Sequence, residues 1–139
     1  MGSSRVRPTL ETRFHIDYDW WKRDERDLRM YLISHLAPER QELFRDAEQD
    51  EQVDWVDPET AEVRRIDALQ RELQTAAQSE DFITSQTSLV DAVFRLFLAN
   101  GNTPLTPVEI GEELGRPPQM ILKTLAGGRV YKGIRPVAD

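Results

Sequence analysis

The stretch TPVEIGEELGRPPQMILKTLAGGRVYK, residues 106–132, decides the predicted fold of the second half of the chain. It opens with Thr106, followed by Pro107 and, three positions after the threonine, Glu109. This is the pattern of a capping box with proline at the first helical position. Gly115 ends the predicted helix, two prolines start a second one, and a glycine pair ends that helix in turn. The stretch therefore predicts two short helices joined by a tight turn.

The flanking sequence completes a longer order of elements. An apolar stripe over residues 89–98 predicts a core helix before this stretch, and residues 129–137 predict an extended segment after it. The order of helix, short link, helix, turn, helix and strand resembles the winged helix-turn-helix superfamily over about residues 85–137. The resemblance is carried by EIGEELGRPPQMILKTL and by the placement of the turns. It implies a recognition helix over residues 117–125, a wing over residues 129–137, and non-covalent binding to duplex DNA in a transcription-associated regulator.

The resemblance also implies where DNA would be contacted. If Ile121, Leu122 and Leu125 face the core, polar and basic side chains occupy the outward side of the recognition helix. Arg and Lys can meet phosphates, and Gln, Lys and Thr can also pair with base edges. The two prolines are a departure from the family, because they leave fewer donors in the first turn. The expected contact residues are Arg116, Gln119, Lys123, Thr124, Arg129, Lys132 and Arg135.

Charge is distributed unevenly along the chain. The net charge is −7, which argues against non-specific nucleic-acid binding by the whole surface. Residues 84–139 carry six basic and five acidic side chains, a net +1, whereas residues 1–83 carry twelve basic and twenty acidic ones, a net −8. The acidic front is expected to oppose non-specific DNA binding, recruit a protein partner or mediate self-association. A protein–protein adaptor that docks through the winged-helix surface is the alternative function.

The first half predicts an α+β module over residues 13–80 after a flexible leader over residues 1–12. Period-two alternation predicts a strand over residues 14–20, helical spacing follows it, and residues 53–66 predict a hairpin that precedes another helix. Because a lone hairpin is marginal in water, we expect the strand and the hairpin to share one antiparallel sheet. The expected fold class is α+β, a small antiparallel sheet with helices, followed by a winged-helix-like module over residues 84–139.

A metal-dependent nuclease is a weaker alternative. His15, Asp17 and Asp19 alternate along one face of the predicted strand, and Asp54 and Asp57 are candidates for a neighbouring strand. Oxygen ligands of this kind suit Mg²⁺ or Mn²⁺. The polar alternation of a half-exposed strand explains the same residues. We therefore assign no catalytic residue, metal ligand or cofactor, and we expect the protein not to be an enzyme.

Two aromatic features carry expectations about packing. Phe94 and Leu98 lie one turn apart on the apolar stripe and are expected to be among the most buried residues of the second half. Strand alternation turns either Trp20 or Trp21 away from the core, and we expect that side chain to pack under the following helix. The alternative is that it lies in an exposed patch, where tryptophan is typical of protein interfaces.

The compartment is inferred from what the sequence lacks. It contains no cysteine, so disulfides and thiolate metal sites are excluded. It has neither the apolar stretch of a signal peptide at its start nor an apolar run of the roughly 18 residues that a membrane span needs. A cytoplasmic protein without membrane association is expected.

Overall fold

The computed structural model describes residues 7–45, 52–56, 60–61 and 63–138. Within these residues the chain has an α+β fold, as predicted, with small antiparallel strand pairs and six α-helices. The helices are α1 (Glu25–Ile33), α2 (Pro38–Arg45), α3 (Ala68–Ala77), α4 (Leu89–Ala99), α5 (Pro107–Leu114) and α6 (Pro118–Leu125). The strands are β1 (Phe14–Ile16), β2 (Gln52–Val56), β3 (Val63–Asp67) and β4 (Ile134–Pro136), and a 3₁₀ helix spans Tyr18–Arg23.

The chain divides into two compact units. The first combines the described residues of Met1–Arg23 with those of Ile83–Asp139. We call it the helix-turn-helix unit only because α5, a short turn and α6 follow one another in it. The second, which we call the acidic unit, is Asp24–Phe82. The break predicted after residue 80 lies close to this boundary. The predicted division into residues 13–80 and 84–139 nevertheless differs from the structure, because β1 and the 3₁₀ helix belong with the second half of the chain.

The pairing of β1 explains this division. β1 pairs antiparallel with β4, with Phe14 opposite Pro136 and Ile16 opposite Ile134. Its other edge is also occupied by the second half of the chain. The backbone N–H of Phe14 donates to the carbonyl of Leu105 at 2.8 Å. The expectation that β1 shares a sheet with the hairpin is therefore wrong, since β2 and β3 form a separate two-stranded sheet.

Asn102 completes the edge of β1 with its side chain. Its Oδ1 accepts from the backbone N–H of Ile16 at 2.8 Å, and its Nδ2 donates to the carbonyl of Ile16 at 2.9 Å. The Asn102 side-chain amide thus makes the two hydrogen bonds to Ile16 that the backbone of a neighbouring strand would otherwise make. Asn102 itself has a φ of +63°, a left-handed conformation that Asn tolerates better than most residues.

The strand predicted over residues 14–20 is shorter than expected. β1 ends at Ile16 because the next residue, Asp17, starts a turn. The Asp17 side chain accepts from the backbone N–H of Asp19 at 3.0 Å, and the Asp17 carbonyl accepts from Trp20 at 3.1 Å. A short acidic side chain that captures a nearby backbone N–H favours a turn over continued extension. The two tryptophans consequently lie in the 3₁₀ helix.

The core of the helix-turn-helix unit forms around α4 and β1. Its largest fully buried apolar side chains are Phe14, Ile16, Val93, Phe94, Phe97, Pro107, Ile110, Ile121 and Ile134. The prediction for Phe94 is confirmed. The prediction for Leu98 is wrong, because Leu98 is half-buried whereas Phe97 is 0% exposed. Phe97, three residues after Phe94, therefore packs in the core beside it, whereas Leu98, four residues after it, lies at the margin.

The two helices predicted from residues 106–132 are α5 and α6. The capping box is confirmed: the Thr106 side chain accepts from the Glu109 backbone N–H at 3.2 Å, and the Glu109 side chain accepts from the Thr106 N–H at 2.9 Å. Gly115 follows α5 with a φ of +67°, and the turn over residues 115–117 leads directly into α6. The extended segment predicted over residues 129–137 is regular only in β4.

Gly111 sets the closest approach between α5 and the start of α6. A Cβ added to it would lie 2.7 Å from the carbonyl oxygen of Arg116 and 3.1 Å from the ring of Pro118. Because the obstacle includes backbone, Gly111→Ala must displace the turn. We expect it to lower the free energy of unfolding by about 1–3 kcal/mol, despite the higher helix propensity of Ala. The thermal midpoint measures this. Gly127→Ala, whose Cβ would make ordinary contacts, is the control, and equal midpoints for the two variants would contradict the expectation.

The acidic unit contains the predicted hairpin and the helix after it. β2 and β3 pair antiparallel with Val53 opposite Ile66, which confirms the hairpin, while residues 57–59 at its turn lie outside the described residues. α3 buries Leu69 and Leu73, and Arg40 of α2 forms an ion pair with Glu72 of α3. This unit therefore holds its helices by both apolar and charged contacts.

The leader predicted over residues 1–12 is structured in part. Residues 1–6 lie outside the described residues. Thr9 and Thr12 form a turn in which the Thr9 carbonyl accepts from the Thr12 N–H at 3.0 Å and the Thr12 hydroxyl accepts from the Thr9 N–H at 2.8 Å. Residues 9–12 of the predicted leader therefore form a hydrogen-bonded turn.

Candidate nucleic-acid interface

Helix α6 presents one apolar and one mainly polar side. Ile121 is 0% exposed and Leu125 is buried, so these two side chains attach the helix to the core. Gln119 and Lys123 are exposed, in agreement with the prediction that they face outward. Thr124 is half-buried, and its hydroxyl donates to the Met120 carbonyl one turn back at 3.0 Å. Thr124 is therefore already engaged with its own helix.

Arg116 lies in the turn that precedes α6 and makes a contact within the protein. Its Nη2 donates to the backbone carbonyl of Thr87 at 2.6 Å, and the residue is half-buried. Thr87 immediately precedes Ser88, the residue that caps α4. The guanidinium thus ties the turn between α5 and α6 to the beginning of α4. The Arg116 guanidinium was expected to donate hydrogen bonds to DNA, and one of its N–H groups is instead used within the protein.

Arg135 on β4 forms an ion pair with Asp17. Its Nε donates to Asp17 Oδ2 at 3.0 Å, and its Nη2 contacts the same oxygen. This hydrogen bonding is the main reason that the pKa of the Asp17 carboxyl lies below its ordinary value. The pair therefore contributes to stability above the ordinary carboxyl pKa, and the contribution is lost as the pH falls through the lowered value. At neutral pH the Arg135 charge is largely compensated.

The segment between α6 and β4 is held by Trp21. The Trp21 indole Nε1 donates to the carbonyl of Lys132 at 3.0 Å, and the Trp21 side chain is buried. Lys132 and Gly133 have φ values of +54° and +78°, so the backbone turns sharply beneath the indole. The Lys132 side chain is exposed, as is that of Arg129, whose guanidinium lies 5.5 Å from the centre of the Tyr131 ring.

Sequence reasoning missed the role of Trp21. The expectation was that one tryptophan of the pair would pack under the following helix. The packing of one tryptophan under the following helix stays a prediction. The Trp21 indole N–H bonds to Lys132, and Trp20 meets the Trp21 ring edge-on at a centroid distance of 4.9 Å. The signal available in the sequence was Gly133, because glycine is favoured where a neighbour approaches the backbone closely. In the structure that neighbour is the Trp21 indole, which leaves no room for a Cβ.

Arg7 was also missed, because it lies in the predicted leader. Together with Pro8 and Leu10 it forms one wall of an open cavity of about 480 Å³, and the other wall is the outward side of α6 and the residues that follow it. The α6 wall comprises Gln119, Leu122, Lys123, Ala126 and Gly127. Leu122 was expected to face the core with Ile121 and Leu125, but it is half-buried and lines this open cavity. Two of the seven predicted contact residues, Gln119 and Lys123, therefore share a concave surface with Arg7.

The two units differ strongly in charge. By sequence, the segments of the helix-turn-helix unit carry eleven basic and eight acidic side chains, a net +3. The acidic unit carries seven basic and seventeen acidic ones, a net −10. Within the first unit, the exposed Glu109, Glu112 and Glu113 make the surface of α5 acidic, whereas α6 carries Lys123 and no acidic residue. The positive charge is thus concentrated away from α5.

The alternative metal site does not form among the described residues. Asp17 pairs with Arg135, and Asp19 lies 3.1 Å from the Nζ of Lys22. In the part of the chain that the structure describes, no group of three or more His, Asp or Glu side chains is arranged to hold a metal ion. The Asp54 side chain and Asp57 lie outside the described positions.

Among the described helices, none combines the length and the apolar character required to cross a membrane. The chain matches no protein-family model, no curated protein sequence and no solved structure in these comparisons.

Proposed function

We propose that the helix-turn-helix unit binds duplex DNA non-covalently through the outward side of α6 and the segment that follows it. The observation that carries the proposal is the exposure of Gln119 and Lys123 on a short helix held by its opposite, apolar side. A helix presented in this way can enter a major groove, where Gln can pair with adenine and Lys with guanine or a phosphate. A transcription-associated regulator in the cytoplasm is the corresponding biological role.

The order of elements in the unit supports the proposal. The elements follow one another in the order that the resemblance to the winged helix-turn-helix superfamily implies. They are α4, the short link that pairs at Leu105, α5, the turn over residues 115–117, α6 and β4. The net charge of +3 on this unit favours approach to a polyanion, while the −10 of the acidic unit opposes indiscriminate binding.

The contacts within the protein revise the set of residues proposed to meet DNA. Lys123 and Arg129 are exposed and are proposed as the principal cations, with Gln119 as the base-reading side chain. Lys132 is exposed and keeps a phosphate-contacting role in the proposal. Because Arg116 and Arg135 already bond to Thr87 and Asp17, they are proposed to position the surface rather than to supply its charge.

The proposal is tested by titrating a mixed pool of duplex DNA at several salt concentrations. Each phosphate neutralised by a protein cation contributes about 0.9 to the slope of log affinity against log salt. Lys123→Ala combined with Arg129→Ala should therefore flatten the slope by about 1.8 and weaken binding at low salt. Both side chains are exposed, so circular dichroism should show an unchanged fold.

The control removes two positive charges elsewhere. Lys22→Ala with Arg71→Ala changes the net charge by the same amount at two exposed positions outside α6 and its following segment. We expect this variant to keep nearly the wild-type slope. If the wild-type protein binds no duplex DNA at low salt, or if both double variants lose the same slope, DNA recognition by α6 is wrong.

A second candidate function, docking of a protein by the same surface, is favoured by one observation. Met120 lies on the outward side of α6 and is 50% exposed, and Val108 on α5 is 37% exposed. Exposed methionine is typical of surfaces that bind other proteins. An adaptor would lose partner binding on Met120→Glu but would show no salt-dependent affinity for DNA.

A further inference from the structure

We infer that the cavity between residues 7–10 and α6 is a binding site for a small anion with an apolar body, such as an aromatic or branched aliphatic carboxylate. The inference goes beyond the proposed DNA binding and does not depend on it. The volume of the cavity, about 480 Å³, lies within the range of about 300–1,000 Å³ that is usual for small-molecule sites.

The charge of the cavity selects an anion. The charged side chains among its lining residues are Arg7 and Lys123, one on each wall, and the described lining contains no acidic side chain. A carboxylate placed between them would accept hydrogen bonds from a guanidinium and an ammonium group. Gln119 adds an amide that can both donate and accept.

The remaining lining selects an apolar body. Leu10 and Pro8 on one wall face Leu122 and Ala126 on the other, and all four are half-buried. Small-molecule sites commonly have a mainly apolar lining with a few polar groups. The polar groups orient the charged end of the ligand, and the apolar lining packs against the rest of it. A bare inorganic anion would leave this apolar lining unused.

The test uses 2-naphthoate as the anionic probe and 2-naphthamide as its neutral counterpart of nearly the same shape. Each is titrated into the full chain and followed by amide chemical shifts. We expect 2-naphthoate to shift the amides of Leu10, Gln119, Lys123 and Gly127 and to bind about tenfold more tightly than 2-naphthamide, since two exposed charge contacts together supply about a factor of ten. Inorganic phosphate should bind more weakly than 2-naphthoate.

Variants connect the binding to the cavity. Arg7→Met with Lys123→Met should reduce the affinity for 2-naphthoate about tenfold and leave that for 2-naphthamide unchanged. Lys22→Met with Arg71→Met removes the same charge outside the cavity and should alter neither affinity. Equal affinities of the wild-type chain for the two naphthalene probes, phosphate binding as tight as that of 2-naphthoate, or shifts confined to other residues would each overturn the inference.

Discussion

Phe94→Ala is expected to lower the free energy of unfolding by about 3–5 kcal/mol, the range found for truncating a fully buried Phe. Phe94 is 0% exposed and lies on α4 beside Val93 and Phe97, which are also 0% exposed. Removing the ring loses the free energy gained by burying its apolar surface. It also leaves a cavity, because closely packed neighbours can move into the space only in part. A change of this size is a large fraction of the stability of a small protein.

The effect is measured by urea denaturation in a Trp55→Phe background. Fluorescence then reports on Trp20 and Trp21, both of which belong to the same unit as Phe94. Leu98→Ala is the matched control on α4: because Leu98 is half-buried, it should shift the midpoint clearly less. A Phe94→Ala midpoint equal to that of the parent would show that α4 is not the core of this unit.

Gly133→Ala is expected to be nearly as destabilising, although it adds a single methyl group. The added Cβ would lie 2.8 Å from the Trp21 Nε1 and 3.1 Å from the Asp17 carbonyl oxygen. The φ of +78° at this position also disfavours any residue with a Cβ. Left-handed strain of about 1–2 kcal/mol and overpacking of about 1–3 kcal/mol together predict a loss of about 2–5 kcal/mol.

Gly128→Ala provides the control for this substitution. Gly128 lies in the same segment between α6 and β4, but a Cβ there would meet no atom within 4 Å. Its thermal midpoint, followed by far-ultraviolet circular dichroism, should stay close to that of the wild type. If Gly133→Ala leaves the midpoint just as unchanged, the packing of Trp21 against this turn does not contribute to stability.

The local elements of the second half could be predicted because their signals lie within a few residues of each other. The Thr106 and Glu109 capping box, the proline after the cap and the left-handed Gly115 all involve contacts that span one helical turn or less. The same holds for Asn100 and Gly101, which end α4. Apolar spacing likewise predicted the burial of Phe94 and Ile121, because one face of a helix must meet the core.

Strand pairing could not be predicted in this way. The period-two pattern around Phe14 indicates one apolar face, but it does not indicate which strand lies alongside. The hairpin β2–β3 was the expected partner. The structure uses β4 on one edge and Leu105 with the Asn102 amide on the other. These contacts link residues about 90 to 120 positions apart, so no local pattern contains them.

For the candidate site, the amino-acid sequence by itself determined the α+β elements, the helices α5 and α6, and the outward position of Gln119 and Lys123. Only the tertiary structure decided which basic side chains bond to other groups of the protein. It directs Arg116 to Thr87 and Arg135 to Asp17, and it brings Arg7 to the same cavity as Lys123. The physical reason is that helix formation and side-chain facing depend on nearest neighbours along the chain, whereas hydrogen bonding of a charged side chain depends on which distant groups the fold brings within about 3 Å.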